Sequence, residues 1–348
     1  MKKSVAVITG LQCADNPSPG VAVARSLKAK GVATIGVAYS PLDTGAHMPG
    51  LFDHVVYFQK PDEQKLDSYF HQFYDLMVQF QPDMILPTLD PEIPLFSKHN
   101  ISSTAPKLPV LLPSPETLKK THKLNISKFC NSEAFKIPKQ EIAYCIADVN
   151  RAIGRFGLPC MIKGQWYEAY EINHFDEVPY FFRKLKMRWQ LPVVIQQKIS
   201  GSEVTFVGLC DQNSQLIHWG MIRKWGISEQ GKTWCAVSFT NDKYTAAIQS
   251  LLSDLKWVGP CEIEFFMDEA TGELTLFEFN MRLPSWIYLG AEAGVNFPFQ
   301  IMNLIKDIHN EPSCFESGKV FVRVVSDYVV PMSRILTLQN KGQVHGET

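Results

Sequence analysis

The sequence predicts an α/β domain at the N-terminus followed by α+β domains built on antiparallel sheets. Three observations carry this. In the first third of the chain, continuous apolar runs alternate with helical periodicity, as a parallel sheet covered on both faces requires. Beyond residue 114 the apolar runs come instead as hairpin-like pairs joined by Gly or Asp/Asn turns. Single helical stretches, such as Tyr244 to Leu255, lie between these pairs.

In chain order, VAVIT (5–9) reads as a buried strand. A loop with Pro17, Pro19 and Gly20 leads into the helical VAVARSLKAKG (21–31). ATIGVAY (33–39) and HVVYF (54–58) are further strands. Leu66, Tyr69, Phe70, Phe73, Leu76, Met77 and Phe80 repeat at helical spacing, which predicts a helix facing the core, and DMILPT (83–88) returns as a buried strand. Asp90 and Glu92, at that strand's end, could cap a helix or touch a substrate. The first turn, GLQCADNPSPG, is not G-x-G-x-x-G, and the second strand ends in VAYSP without the acid a ribose needs. A nicotinamide-dependent oxidoreductase is therefore the weaker alternative.

LPSPETLKKTHK marks a boundary, with Ser114 as N-cap, Pro115 at the first helical position and Glu116 in the first turn. The first domain is thus 1–113. LPCMIKG (158–164), PVVIQQKISGSEVTFVGLCD (192–211), QLIHWGMIRKWG (215–226) and GPCEIEFFMDEATGELTLFEFNMR (259–282) are strands of the second half. After Arg282, YLGAEAGVNFPFQIMNLIKDI reads as helices, and the polar tail 331–348 is expected to be mobile.

Composition excludes several classes. The 348 residues are 45% hydrophobic and 20% charged, with a net charge of -1, so no basic field points to nucleic acid or an anionic membrane. No apolar stretch approaches the roughly 18 to 20 residues of a membrane span, and the apolar run after MKK is too short for a signal peptide. The eight cysteines are scattered, without C-x-x-C or zinc spacing, and read as reduced thiols of a cytoplasmic protein. No G-x-S-x-G elbow is present.

The hairpin at 261–282 is the informative stretch. With its turn at EATG, an even register sets Glu264 opposite Glu278 and Glu262 opposite Asn280. Ile263, Phe265, Phe277 and Phe279 then share one apolar face. Two carboxylates directly opposite have Cβ atoms about 4.5 to 5.5 Å apart and repel, so something positive belongs between them. Arg282 is one candidate. A hard cation is the other, with Glu264, Glu278 and the Asn280 amide oxygen as ligands. The plain alternative is a surface hairpin with ordinary acids and a salt-bridging Arg282.

The order of a strand ending in Lys163, the QKI segment, the Gly201 turn returning to Glu203, and the hairpin with E-x-N-x-R (278–282) resembles the ATP-grasp superfamily. The resemblance covers about residues 1 to 310, and within the superfamily is closest to the biotin carboxylase and carbamoyl phosphate synthetase branch and to single-chain carboxylate–amine ligases. It implies a pre-ATP-grasp domain (1–113), a small subdomain region (114–200), a large subdomain with the metal hairpin (201–330), and ATP held between the subdomains. It implies Lys163, Lys123 and Lys128 at the phosphates, Gln197 and Ile199 at the adenine edge, Glu203 near the ribose, and Arg223 bordering the cleft. It implies Mg²⁺, with Mn²⁺ as a substitute, on Glu264, Glu278 and Asn280, and Arg282 on the transferring phosphoryl group. Trp286 and Tyr288 would shape the acceptor pocket.

The implied activity is an ADP-producing ligase that joins a small-molecule carboxylate to an amine, an amino acid or peptide among them, with room for a homodimer. His122 stands where the family often has Asp, Gln197 where it often has Glu, and Met281 where it commonly has Pro. The stretch KGQWYEAYEINHF replaces a glycine-rich flap. The flap and Gln197 departures motivate the alternative of a nucleotide-binding protein without catalysis.

Overall fold

Four short apolar strands, β1 (Val5–Ile8), β2 (Ala33–Ala38), β3 (His54–Tyr57) and β4 (Met84–Leu86), pair in parallel in the order β3-β2-β1-β4. We describe the protein from a computed structural model covering residues 3–12, 18–102, 104, 106–126, 135–228 and 231–346. The Leu66–Phe80 helix has the predicted extent, and it buries Tyr69, Phe70, Phe73 and Leu76, with Phe73 edge-on to Phe96 at 5.0 Å. Strand order reverses at β1, so the ends of β1 and β4 frame the crevice where parallel sheets commonly place function. Thr9, Thr88 and Asp90 lie there.

The tail differs from expectation. Met332–Lys341 is a helix, and Gln343–His345 pairs antiparallel with β3 as the outer strand of the first sheet. Its polarity, which suggested mobility, suits a helix that buries only Leu338 and an edge strand that buries only Val344.

Two further sheets follow. β5 (Gln140–Ala143), β6 (Cys160–Lys163), β7 (Ala169–Ile172) and β8 (Val193–Gln197) form a four-stranded antiparallel sheet in the order β5-β8-β6-β7. β9 (Ser202–Cys210), β10 (Leu216–Ile227), β11 (Thr233–Phe239), β12 (Gly259–Met267) and β13 (Leu274–Asn280) build the larger sheet, in the order β13-β12-β9-β10-β11 followed by Val320–Val322. Gly201 joins the two sheets at φ 151°, and a Cβ there would lie 2.6 Å from the Met267 carbonyl oxygen, so no other residue fits unstrained. Ser114 caps the Pro115–Thr121 helix by accepting from the Thr117 amide at 3.1 Å. That helix buries Leu118 among Val204, Phe206 and Ile263 of the larger sheet, although the sequence grouped it with the small subdomain region. The helix predicted from Tyr244 to Leu255 is found at Asp242–Asp254, capped by Asn241.

The crevice of the first sheet holds one acid that the sequence left undecided. Glu92 is 2% exposed, and its Oε2 accepts from the Thr9 hydroxyl at 2.5 Å and the Leu89 amide at 3.3 Å. Burial outweighs these bonds and raises its pKa from 4.5 to about 7. A carboxyl that binds its proton more tightly folded than unfolded favours the fold at low pH. That advantage disappears as pH climbs from 4.5 to about 7, and nothing further is lost above. The change is at most about 3 kcal/mol, taking 1.36 kcal/mol per unit. Urea midpoints for wild type should therefore fall between pH 4.5 and 7 more steeply than those of Glu92→Gln; parallel pH profiles would show that Glu92 does not titrate in that range.

Candidate active site

The hairpin register places the acids as the sequence expects. Glu264 pairs with Glu278 and Glu262 with Asn280. The apolar face needs correction. A bulge follows Glu264, so Phe265 pairs with Leu276 and Phe277 drops out of the ladder. Ile263, Phe265 and Phe279 remain buried in the core below, while Phe277 lines the cleft between the two antiparallel sheets, with Lys163 Nζ 5.2 Å from its ring centroid.

Lys123, Gln140, Lys163, Val194, Gln196 and Glu278 complete the wall of this cleft. Lys123 Nζ lies 3.6 Å from Glu278 Oε1 and donates to the Trp166 carbonyl at 2.9 Å. Burial by itself would raise the Glu278 carboxyl, but Lys123 and Lys163 outweigh it and hold the pKa at about 2. Burial pulls the Lys163 ammonium down, and Glu278 opposes that fall. Gln196 Nε2 donates to Gln140 Oε1 at 3.1 Å and to the Phe277 carbonyl at 3.3 Å, tying the small sheet to the hairpin.

From Glu203 the charged groups run as an alternating row. Lys224 Nζ bridges Glu203 at 2.8 Å and Glu264 at 2.6 Å. The Asn280 amide nitrogen lies 3.1 Å from both Glu264 Oε1 and Glu262 Oε2. Arg282 donates to Glu262 at 2.6 Å and to Asp90, at the crevice of the first sheet, at 3.2 Å. Trp286 Nε1 holds the other Glu262 oxygen at 3.1 Å. Burial opposes charge on Lys224 and on Arg282, yet the flanking carboxylates win and hold both pKa values up. Glu262 is shifted upward by burial, against the pull of Arg282.

The structure therefore redistributes several sequence-based assignments. Arg282 does not sit between Glu264 and Glu278; Lys224 and Lys123 neutralise them. Arg223 points away, to Glu269 and Ser202. Glu264, Thr205 and Ile222 form one cross-strand row, so counting by two puts Glu203 and Lys224 on the cleft face and Arg223 on the other. The same parity separates two neighbouring glutamines. Gln196 lines the cleft with Val194, while Gln197 sits in ladder with Cys160 and its side chain meets the Lys139 amide at 3.4 Å. Ile199 follows the end of β8 and Glu203 lies on β9, bonded to Lys224 rather than standing free. Tyr288 bonds Glu292 at 2.8 Å and stands apart from the row. Lys128 lies outside the described residues.

Among the described residues no group of three His, Cys, Asp or Glu side chains forms a metal cage. The donor set nevertheless fits Mg²⁺, which takes one or two carboxylates and draws its remaining oxygens from substrate phosphates and water. Glu264 and Glu278 face each other on the cleft, and the low pKa keeps Glu278 an ionised acceptor.

No protein-family profile and no curated protein sequence matches the chain. Solved structures match it in fold. The biotin carboxylase domain of Hydrogenobacter thermophilus 2-oxoglutarate carboxylase, in complex with MgADP, ADP and bicarbonate, superposes with a TM-score of 0.64 at 14% identity, covering 87% of this chain and 69% of that one. The L-amino acid ligase of Bacillus licheniformis gives 0.62 at 17% identity, over 88% and 74%. The N5-carboxyaminoimidazole synthetase of Staphylococcus aureus gives 0.62 at 16% identity, over 98% and 86%.

Proposed function

We propose, for a chain of the ATP-grasp fold, that the protein is an ATP- and Mg²⁺-dependent ligase joining a small-molecule carboxylate to an amine. One observation carries the reading: Glu278, on the cleft wall beside Lys123 and Lys163, is paired with Glu264, and the same hairpin runs on to Asn280 and to Arg282, which Glu262 holds. Lysines for phosphate oxygens and carboxylates for the Mg²⁺ bound to them suit a nucleoside triphosphate. Gln196 and the backbone near Ile199 would meet adenine, and Lys123 and Lys163 the phosphates. Glu264, Glu278 and Asn280 would hold Mg²⁺, which neutralises charge between the phosphates. The substrate carboxylate displaces ADP from the γ-phosphorus, giving an acyl phosphate; the amine then displaces phosphate and loses a proton to form the amide. The chain's contribution is positioning and fixed charge.

A second reading, nucleotide binding without turnover, is favoured by Lys224 and Lys123 already neutralising the carboxylates. ADP release measured against a matrix of carboxylates and amines, amino acids included, separates the two. Calorimetry tests the nucleotide itself: ATP and ADP should bind with similar affinity and NADH should give no heat. Tight NADH binding without ATP binding would reverse the assignment.

A further inference from the structure

The loop 164–168 between β6 and β7 stands where a glycine-rich flap was expected. It is folded tight. The Gly164 amide donates to the Glu168 carbonyl at 3.0 Å, and a Cβ on Gly164 would lie 2.5 Å from the Tyr167 carbonyl oxygen. Side chains then fasten the loop on three sides. Gln165 donates to the Leu191 carbonyl at 2.7 Å within the small sheet's own unit. Trp166 lies edge-on to His122 at 5.0 Å while its carbonyl takes the Lys123 ammonium. Tyr167 packs edge-on against Trp189 at 5.2 Å, and its hydroxyl oxygen accepts the Asp90 amide at 3.0 Å. Burial and the Asp90 charge push the phenol well above its usual pKa, so it stays protonated near neutrality.

The last of these bonds differs in kind from the others. Gln165 and Trp166 tie the loop to parts that carry the lysines, whereas Tyr167 crosses to the first domain and takes the residue that holds Arg282. We propose that Tyr167 is a positioning residue: it latches the loop over the phosphate end of the cleft, so that the loop must release Asp90 before a nucleoside triphosphate enters. This rests on the reading of the cleft as a nucleotide site. It assigns to aromatic side chains the closure for which the resemblance alone would have suggested glycines. Closing the loop also presents the Asp90 backbone and carboxylate in fixed relation to Arg282, so closure and guanidinium orientation become one event.

Tyr167→Phe keeps the ring on Trp189 and removes only the hydroxyl, and with it the hold on Asp90. Amide hydrogen exchange of the nucleotide-free protein should then speed up across 164–168 by about 2- to 10-fold, the equilibrium worth of one neutral hydrogen bond. Exchange in β8 should stay unchanged, which excludes a general loss of stability. If entry waits on opening, the association rate constant of MgATP, followed by tryptophan fluorescence in stopped flow, should rise by the same factor. A loop whose exchange is unaltered in Tyr167→Phe overturns the latch whatever the ligand. Faster exchange with unaltered MgATP association leaves no gate and overturns the proposal. A wild-type chain that binds no MgATP sinks the nucleotide reading and the gate with it, and exchange alone then decides the latch.

Discussion

Glu278→Gln is expected to abolish Mg²⁺-dependent ADP release while the protein stays folded. The carboxylate does two things at once. It is an acid whose pKa Lys123 and Lys163 hold below the usual carboxylate range, hence ionised near neutrality, and it is the counter-charge of both lysines. Glutamine keeps the shape and an acceptor oxygen but leaves two ammonium groups facing each other across a neutral amide. The Lys163 pKa, already lowered by burial, should fall further without Glu278. The expected loss in kcat/KM is at least the 10²- to 10³-fold typical of losing one preorganised electrostatic partner. A thermal melt must accompany the assay, since an unfolded variant would also be silent. A folded Glu278→Gln protein with wild-type ADP release would remove Glu278 from the metal set.

Arg282→Lys should lower kcat about 10²- to 10³-fold and change KM for ATP much less. The guanidinium uses Nε toward Asp90 and NH1 toward Glu262, a two-pronged hold between the hairpin and the first domain. Lysine carries the charge but cannot divide it between two carboxylates in fixed directions. If Arg282 acts on the phosphoryl group as it transfers, its loss is felt in the chemical step rather than in ATP affinity. A variant with intact kcat and weakened ATP binding would make Arg282 an ordinary binding residue.

Much of this arrangement was legible in the sequence. The alternation of apolar runs and helical stretches gave the first sheet, the Ser-Pro-Glu signature gave the cap at Ser114, and the even register of the hairpin brought Glu264 to Glu278. What the sequence could not place turns on parity. Gln196 and Gln197, or Arg223 and Lys224, are neighbours on strands with both faces covered, so hydrophobic alternation does not say which of the two faces the cleft; a shift of one residue exchanges them. Only strand pairing decides it, β8 with β5 and β6 for the glutamines and β9 with β10 and β12 for Arg223 and Lys224, and that is long-range information. Phe277 was misplaced because a bulge breaks the period of two inside a strand that otherwise keeps it. Asp90 could not be chosen over Glu92 because both follow the same strand; their separate fates depend on Arg282, far along the chain. The tail failed for a different reason. Low apolar content forecasts mobility only where a segment has no sheet edge to join, and β3 supplied one.

That outer strand has a bearing on how the protein is made. β3 leaves the ribosome early, whereas Gln343–His345, which covers its edge, follows only after the entire cleft has been synthesised. At roughly 5–20 residues per second the nascent first domain waits on the order of ten seconds to a minute with β3 unpaired on one side. During that interval its row of free backbone groups is open to a neighbouring chain. Early termination upstream of Gln343 would make the exposure permanent, so aggregation of shortened products is the first symptom to expect.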